Sequence, residues 1–345
     1  MPRTATAPSV VDIARKAGVG KSTAARVLAG YGSVSENTRE RVLSVARLLR
    51  YRTNTAARDL RRGTSRLLGV VVPETNTNGF LSHAVSAQKL EGVARGAKRL
   101  GYDLQIFIEN LEDAAALRRL AVEKSVRAFC FLGVISSHVL QYLNQYGIPW
   151  VILNWHHPER PQDPHVWTDF AHSGRTLCGH LLGLGCKRVL AFDWLTPDYG
   201  PFAQGVRDAW NAAGLPAQDL LLFTGKEYDR GPTVQAKLNE ALDAARPPDG
   251  ILLSREEGVA DAYRVLRARG LMPGRVLPVV TFDDLGLARN FDPPCTCYRQ
   301  PFYEMGTLAV EELDRVMAGK GERRIARNVP GELVIRESTR DFRKH

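Results

Sequence analysis

Short apolar runs of strand length recur between residues 67 and 282, and helical stretches of about a dozen residues, such as 87–100 and 175–184, separate them. Apolar runs this short are typical of strands buried inside a parallel sheet. Strands that alternate with crossover helices form doubly wound sheets. We predict eight strands in two groups, and therefore two α/β lobes, with strands over 67–72, 104–108, 129–132, 150–153, 189–192, 220–223, 251–253 and 279–282.

Positive charge is concentrated ahead of these strands. Positions 1–65 hold 13 Lys and Arg against four acidic side chains, whereas positions 66–345 hold 34 against 33. The net charge of +10 therefore lies almost entirely in the first fifth of the chain. A small basic module attached to a neutral body is the electrostatic footprint of a nucleic-acid-binding domain.

The basic segment also has helical periodicity. Ser9 and Asp12 form a capping box, and an apolar stripe runs from there to Gly18, which ends the first helix. Ser35 is predicted to cap a third helix. The apolar positions of the second and third helices are Ala24, Val27 and Leu28, then Val42, Val45, Ala46 and Leu49. The pattern predicts an all-α domain in which the first two helices form a helix-turn-helix.

The segment AGVGKST, residues 17–23, ends like a phosphate-binding loop. Such a loop needs G-x-x-x-x-G-K-S/T after a buried strand, because its glycines let successive N–H groups surround the phosphates. Arg15 occupies the position of the first glycine, and the residues before it are helical. We therefore interpret residues 20–23 as a turn and the start of the second helix, not as a nucleotide site.

The second helix has a polar face suited to DNA. With its apolar stripe turned inward, Lys21, Ser22 and Arg26 face outward, and Thr23 lies at the flank. Arg can form two hydrogen bonds to guanine, while Lys and Ser can bind base edges or phosphates in the major groove. We expect these four residues to bind DNA. Ordinary solvated side chains are the alternative interpretation.

The sequence offers little support for metal binding, cofactor binding or catalysis. The five cysteines are Cys130, Cys178, Cys186, Cys295 and Cys297. They form no CxxC pair and no metal-spaced set, which predicts reduced thiols and a cytoplasmic protein, and the alternation of Cys295 and Cys297 indicates a strand. His156 and His157 are predicted to lie in an exposed loop rather than at a metal. No nucleophile elbow, HExxH or bilayer-spanning run is present, so we predict no enzyme, no cofactor and no membrane partner.

Several N-terminal motifs together carry a family resemblance: SVVDIARKAGV at 9–19, Thr23, residues 26–28, 34–35 and 38–39, Val42, Tyr51, and NTAARDL at 54–60. They resemble the DNA-binding domain of the lactose-repressor (LacI/GalR) family. The resemblance continues through most of the chain. It departs from the family at Gly20, at residues 24–25 and at Thr53, where Ser, Val-Ser and Pro are usual. None of these departures removes the helical pattern.

The resemblance implies a helix-turn-helix domain over 1–52, a hinge helix or linker over 53–64, and an effector-binding and dimerisation domain over 65–345. It implies that the hinge helix orders on DNA, with Asn54, Ala57 and Leu60 as contacts and Leu60 as a wedge in the minor groove. Packing of Leu60 on the neighbouring domain is the alternative. A helix-turn-helix dimer reads a near-palindromic operator. Because no leucine heptad follows residue 337, we expect a homodimer and no tetramerising tail.

The resemblance also implies a periplasmic-binding-protein-like core with three chain crossings. Lobe 1 would take about 65–168 and 299–327, and lobe 2 about 169–298 and 328–345. Ligands would bind between the lobes, at the carboxyl ends of the strands. The candidate ligand-binding residues are Asn78, Phe80, Asn154, Trp155, Trp194, Tyr199, Phe202, Arg255, Asp283, Gln300 and Phe302. Ordinary packing or a loop role is the alternative for each of them.

Two departures bear on the effector. Phe202 replaces a family Arg that grips hydroxyls or carboxylates, and Arg255-Glu256 replaces Asn-Asp. We therefore expect a sugar-derived or acidic metabolite with a negative group facing Arg255, rather than a plain neutral sugar. Loss of the ligand is the alternative. The predicted function is an allosterically controlled transcriptional repressor, and the alternative is an α/β enzyme acting on a sugar or nucleotide with an appended DNA-binding module.

Overall fold

A computed structural model of the protein describes residues 9–28, 34–49, 65–73, 84–109, 113–133, 135–154, 163–193, 200–224, 230–320, 325–340 and 342. The chain divides into two compact units, residues 1–65 and 66–345. Each unit has its own hydrophobic core. Among the described residues, no helix is both long and apolar enough to cross a bilayer.

Three described helices form the first unit: α1 (Val10–Ala17), α2 (Lys21–Leu28) and α3 (Glu36–Leu48). The predicted capping box opens α1, because the Ser9 hydroxyl accepts from the Asp12 N–H at 3.3 Å and the Asp12 carboxylate accepts from the Ser9 N–H at 2.9 Å. The Asp12 carboxylate also accepts from the Ser9 hydroxyl at 2.7 Å, and this bond together with the one from the Ser9 N–H lowers the pKa of Asp12. Gly18 ends α1 with a φ of 63°.

The apolar stripes of the three helices meet in one small core, as the periodicity predicts. Its buried members are Ile13, Ala14, Ala17, Ala24, Val27, Val42 and Ala46. One detail differs from the prediction at the start of α3. Ser35 stands at the N-cap, but its hydroxyl donates to the Thr38 hydroxyl at 2.9 Å instead of accepting from a helix N–H.

Two six-stranded sheets form the second unit. The first contains β1 (Leu67–Pro73), β2 (Asp103–Glu109), β3 (Val126–Phe131), β4 (Trp150–Leu153), β5 (His165–Trp167) and β11 (Ala326–Asn328), in the order β11-β5-β4-β3-β1-β2 and parallel throughout. The second contains β6 (Val189–Asp193), β7 (Leu220–Thr224), β8 (Gly250–Leu253), β9 (Val279–Phe282), β10 (Thr296–Arg299) and β12 (Glu332–Val334), in the order β12-β10-β9-β8-β6-β7. Only the pairing of β12 with β10 is antiparallel among the described strands.

The two α/β sheets, parallel except for β12, confirm the predicted fold class, and all eight predicted strands are present within a few residues of their predicted ends. Cys295 and Cys297 bracket the start of β10 and are buried in one apolar cluster, as their alternation predicts. Burial raises the pKa of both thiols to about 12. β5, β11 and β12 were not predicted, because three-residue strands are too short to show a periodicity.

Helices cover both faces of the sheets. They are α4 (Ala84–Leu100), α5 (Ala114–Glu123), α6 (Ser137–Gln145), α7 (Phe170–Gly183), α8 (Pro201–Ala212), α9 (Arg230–Asp243), α10 (Glu257–Ala268), α11 (Phe302–Met317) and α12 (Glu337–Arg340). The chain passes between the sheets three times. It leaves the first sheet after β5, returns to it after β10 to form α11 and β11, and leaves it again to form β12.

Two pairs of helices approach so closely that no side chain fits between their backbones. On the first sheet, α4 and α11 meet at Gly92 and Gly306, where a Cβ on Gly306 would lie 2.4 Å from the carbonyl oxygen of Lys89. On the second, α7 and α8 meet at Gly174 and Gly205, where a Cβ on Gly205 would lie 2.0 Å from a backbone carbonyl oxygen of α7. Glycine is required at these contacts for lack of space.

We predict that Gly306→Ala destabilises the second unit by about 1–3 kcal/mol, because α4 and α11 must separate to admit the methyl group. Gly179→Ala is the matched control, since Gly179 lies exposed in α7 with nothing within 4 Å of an added Cβ. That variant should gain about 0.5–1 kcal/mol from helix propensity. Guanidinium unfolding followed by circular dichroism measures both. Equal stability of the two variants would contradict the close packing of α4 on α11.

Candidate functional sites

The outer face of α2 is the candidate nucleic-acid surface. Ala24 and Val27 are buried beneath it, while Lys21, Ser22 and Arg26 are exposed on its polar side. Thr23 is half-buried at the flank. The helix follows directly on the turn after α1 and has no acidic side chain in its sequence, KSTAARVL.

The two cations of this surface are not engaged by acids of the described chain. Arg26 donates from Nε to the Ser22 carbonyl oxygen at 3.4 Å, one turn earlier in α2. Within the described part of the first unit, the ion pairs Arg15–Asp12 and Arg39–Glu36 involve α1 and α3, and neither cation of α2 has a carboxylate partner. Among the described residues, no carboxylate therefore neutralises the positive charge of α2.

Eight of the predicted site residues lie outside the described residues. They are Asn54, Ala57, Leu60, Asn78, Phe80, Trp155, Trp194 and Tyr199. Phe302, Asn154, Asp283, Gln300 and Arg255 are described, and they lie at strand ends or at the start of α11.

Asn154 and Asp283 occupy equivalent positions in the two sheets. Asn154 directly follows β4 and Asp283 directly follows β9, each the third strand from one edge. Both have a left-handed backbone, with φ of 57° and 73°. Each donates its backbone N–H to the neighbouring strand, Asn154 to Val166 at 2.7 Å and Asp283 to Tyr298 at 3.0 Å. Asn and Asp tolerate this conformation best among residues with a Cβ, and such backbones concentrate at functional sites.

The Asp283 carboxylate is buried and hydrogen-bonded. Gln300, which follows β10, donates from Nε2 to Asp283 Oδ1 at 2.5 Å. Burial raises the pKa of Asp283 to about 7, although the Gln300 hydrogen bond and the charge of Arg255 oppose that shift. Close to neutral pH this carboxyl group therefore exists in both protonation states, so it can accept or donate a hydrogen bond.

Two buried acceptors lie at strand ends, one on Gln300 beside Asp283 and one on Asn154 at the end of β4 in the first sheet. Neither Asn154 Oδ1 nor Gln300 Oε1 has a hydrogen-bond partner among the described residues. The amide of Gln300 is oriented by its donation to Asp283, so its oxygen faces away from that carboxylate. A buried acceptor without a partner costs about 1–3 kcal/mol. Hydroxyl or amine groups of a small molecule would satisfy these oxygens.

Glu256 has a different role from its neighbour Arg255. Arg255 is half-buried and its charge acts on Asp283, whereas Glu256 is only 1% exposed. The Glu256 carboxylate accepts from the backbone N–H groups of Leu285, Leu287 and Ala288 at 3.1, 3.4 and 3.0 Å. Burial raises the pKa of Glu256, and the three N–H groups oppose that shift. Glu256 therefore fastens the loop that follows Asp283, a role that sequence reasoning missed.

The structure corrects the prediction for Phe202. Its side chain has no exposed surface, and its ring centroid lies 5.3 Å from that of Phe282 in the core of the second sheet. Phe202 is a core residue because α8 packs this position against the sheet, and it is not exposed at a strand end. Phe302 is also buried, in the core of the first sheet, and its ring faces the ammonium group of Lys89.

Lys89 is a further residue of this region that the sequence analysis missed. It lies on the buried face of α4, and its Nζ is 5.7 Å from the ring centroid of Phe302. Burial lowers the pKa of Lys89 to about 8, while the negative charge of Asp283 opposes the shift. A signal was present, because Ser86, Lys89 and Val93 recur at helical spacing within the apolar stripe of α4.

Two family profiles match the chain. The profile of the lacI family of bacterial regulatory proteins matches residues 9–54, and the profile of a periplasmic binding protein-like domain matches residues 178–339. Among curated relatives, an HTH-type transcriptional regulator in the aml 5′ region of Streptomyces limosus is 31% identical over 351 residues, which cover 96% of this chain and 94% of the relative. The HTH-type transcriptional regulator DegA of Bacillus subtilis is 26% identical over 340 residues, 96% of this chain and 98% of DegA.

Two solved structures share the fold over almost the whole chain. The complex of the transcriptional regulator CelR with cellobiose is 25% identical, with a TM-score of 0.66 and coverage of 96% of this chain and 99% of CelR. The lac repressor dimer bound to operator and the anti-inducer ONPF is 20% identical, with a TM-score of 0.74 and the same coverage.

We predict that Glu256→Gln lowers stability by about 1–3 kcal/mol, because an amide cannot accept from all three loop N–H groups. Glu304→Gln is the control, since Glu304 is exposed on α11. Chemical unfolding measures the loss, and hydrogen exchange of residues 284–288 reports loosening of the loop. Unchanged exchange in Glu256→Gln would contradict the fastening role.

Proposed function

This chain belongs to the LacI family of bacterial regulatory proteins, and from that premise we propose that it represses transcription by binding operator DNA. We further propose that a small molecule, held at the strand ends of the second unit, controls its affinity for the operator. The observation that carries the DNA-binding part is the outer face of α2. There two cations, neither with a carboxylate partner in the described chain, stand beside a Ser on a helix that follows a tight turn.

The chemistry of α2 matches the major groove. Arg26 can form two hydrogen bonds to guanine, and Lys21, Ser22 and Thr23 can contact base edges or phosphates. The excess of basic over acidic side chains at positions 1–65 supplies the sequence-independent attraction to phosphates. Our proposed hinge contacts in the minor groove remain Asn54, Ala57 and Leu60.

We infer that the protein acts as a homodimer on a near-palindromic site. β2 is an edge strand of the first sheet, and Ile106 and Ile108 on one of its faces are 41% and 50% exposed. A second copy would cover this apolar edge, and a twofold axis would bring two α2 helices to two half-sites. Because operator DNA lies in the bacterial cytoplasm, we also propose a cytoplasmic location.

The strand ends support a small polar effector. Asn154, Asp283 and Gln300 offer hydrogen-bond acceptors for hydroxyl groups, and Arg255 offers a positive charge to an acidic group. CelR, which has the same fold, forms a complex with cellobiose, a sugar. We therefore propose a sugar-derived or acidic metabolite, with Asn78, Phe80, Trp155, Trp194, Tyr199 and Phe302 as additional proposed contacts. We propose that the protein regulates and does not catalyse a reaction of this molecule.

The direct test is an operator-binding assay on the purified full-length protein. Fluorescence anisotropy should show one promoter fragment bound at least about 10³-fold more tightly than random DNA of equal length. A metabolite that binds the second unit should change this affinity, and operator DNA should change metabolite affinity by the same factor. Equal affinity for all fragments, with and without every metabolite tried, would refute the proposal.

We predict that Arg26→Ala weakens operator binding by about 1–3 kcal/mol and relaxes base preference at one position of each half-site. Arg95→Ala is the control, since Arg95 is exposed on α4 in the second unit. Anisotropy titrations on the operator, on single-base variants and on random DNA separate the base contact from the phosphate contact. If Arg26→Ala weakens operator and random DNA equally, Arg26 contacts only phosphate.

We predict that Leu60→Ala reduces operator bending, because alanine is too short to open a base step. Folding of the two units should be preserved, which circular dichroism and thermal unfolding would check. Circular-permutation gel mobility measures the bend angle. An unchanged angle would reject the wedge and favour packing of Leu60 on the protein.

A further inference from the structure

Lys89 combines burial with a lack of hydrogen-bond acceptors in the described chain. The residue is only 7% exposed, yet no described residue accepts a hydrogen bond from its ammonium group or pairs with it. The centroid of the aromatic ring of Phe302 lies 5.7 Å from Nζ. A buried cation without a hydrogen-bonded counter-ion is costly, so its position in the fold needs a reason.

Asp283 does not supply the missing contact. No hydrogen bond joins Lys89 to Asp283, so the carboxylate acts on the ammonium group only through its charge. One carboxylate oxygen already accepts from Gln300. Lys89 on α4 of the first sheet and Asp283 at the end of β9 of the second sheet therefore interact through their charges, without a hydrogen bond between them.

We propose that Lys89 binds a carboxylate of the effector, and that the effector is accordingly a hydroxylated carboxylic acid. This inference rests on the proposed function and names the ligand class of the same site. An anionic oxygen gives Lys89 a charge-assisted hydrogen bond and neutralises it, whereas a neutral hydroxyl does not neutralise it. The hydroxyl groups of the same ligand would meet the acceptors of Asn154, Asp283 and Gln300.

The charges around the site allow an acid to bind. The charge of Asp283 affects the pKa of Lys89. The pKa of Asp283 is in turn affected by the charges of Glu256, Glu257 and Arg255. Glu256 is committed to three backbone N–H groups. Because the pKa of Asp283 is raised to about 7, protonation of this group near neutral pH removes its repulsion of an incoming carboxylate. Arg255 adds a second positive charge.

The test uses two pairs of probes that differ in the acid group: gluconate with glucitol, and glucuronate with glucose. Calorimetry on the full-length protein should show at least one acid bound about tenfold or more tightly than its neutral counterpart. Lys89→Met should abolish that preference and Lys89→Arg should retain it. Lys98→Met, on an exposed position of α4, is the matched control and should leave the preference unchanged.

The pH dependence of acid binding distinguishes the contribution of Lys89 from that of Asp283. Lys89 is protonated below its pKa of about 8, so acid binding should be strong below that pH and weaken as the pH rises through it. Arginine stays protonated throughout this range, so Lys89→Arg should lack the loss above pH 8. Deprotonation of Asp283 should weaken acid binding near pH 7 in both proteins. If the further loss above pH 8 persists unchanged in Lys89→Arg, that loss belongs to a group other than Lys89, and the proposal is overturned.

Thermal unfolding without ligand tests whether Lys89 has a purely structural role. Removing a buried cation that has no acceptor among the described residues should raise the midpoint of thermal unfolding, by about 2 °C or more in Lys89→Met. A lower midpoint would show that the ammonium group stabilises the fold, and would overturn the proposal. Failure of both acids to bind the wild type at 20 mM, on the order of the weakest useful affinities, would also overturn it. If a promoter fragment is still bound specifically, only the Lys89 inference fails; if none is bound, the proposed function fails.

Discussion

The contact between α4 and α11 determines where Lys89 and Gln300 lie relative to the end of β9. The two backbones meet at Gly92 and Gly306, and the Thr307 hydroxyl donates to the Gly92 carbonyl oxygen at 3.3 Å. α11 begins just after Gln300, whose amide holds the carboxylate at the end of β9. The same contact therefore fixes both Lys89 on α4 and the crossing segment that carries Gln300, although these two segments are far apart in the sequence.

Local sequence patterns predicted much of the fold, because many of its features depend only on residues within one helical turn or one strand. The capping box of Ser9 and Asp12, the three apolar stripes of the first unit and eight strands of the second are all of this kind. α7 shows the limit. It begins at Phe170, ahead of the start predicted at 175, because the side chain of Asp169 caps it by accepting from the His172 N–H at 2.9 Å.

The site was less predictable because its chemistry comes from contacts between distant segments. From the sequence alone Lys89 resembles a surface lysine, but in the structure α11 covers it. Glu256 likewise resembles a cleft residue, but its carboxylate binds the loop that follows Asp283. Phe202 was assigned to the ligand by position alone, but the packing of α8 places it in the core. Only the proximity of Asp283 and Gln300 could be predicted from the sequence, because both follow strands of one sheet and the ends of such strands lie at the same edge.

The placement of Lys89 and Asp283 also bears on how a ligand would control the protein. α4 packs on the first sheet, whereas Asp283 ends a strand of the second, and three chain crossings connect the two. A molecule that satisfies both groups must bind both sheets at once, so its affinity depends on their separation. A ligand shifts a conformational equilibrium only by its difference in affinity for the two states. Lys89 and Asp283 lie on different lobes and are not hydrogen-bonded to each other. A ligand that reaches only one of them loses its contact with the other, and this loss makes the difference in affinity between the two states large.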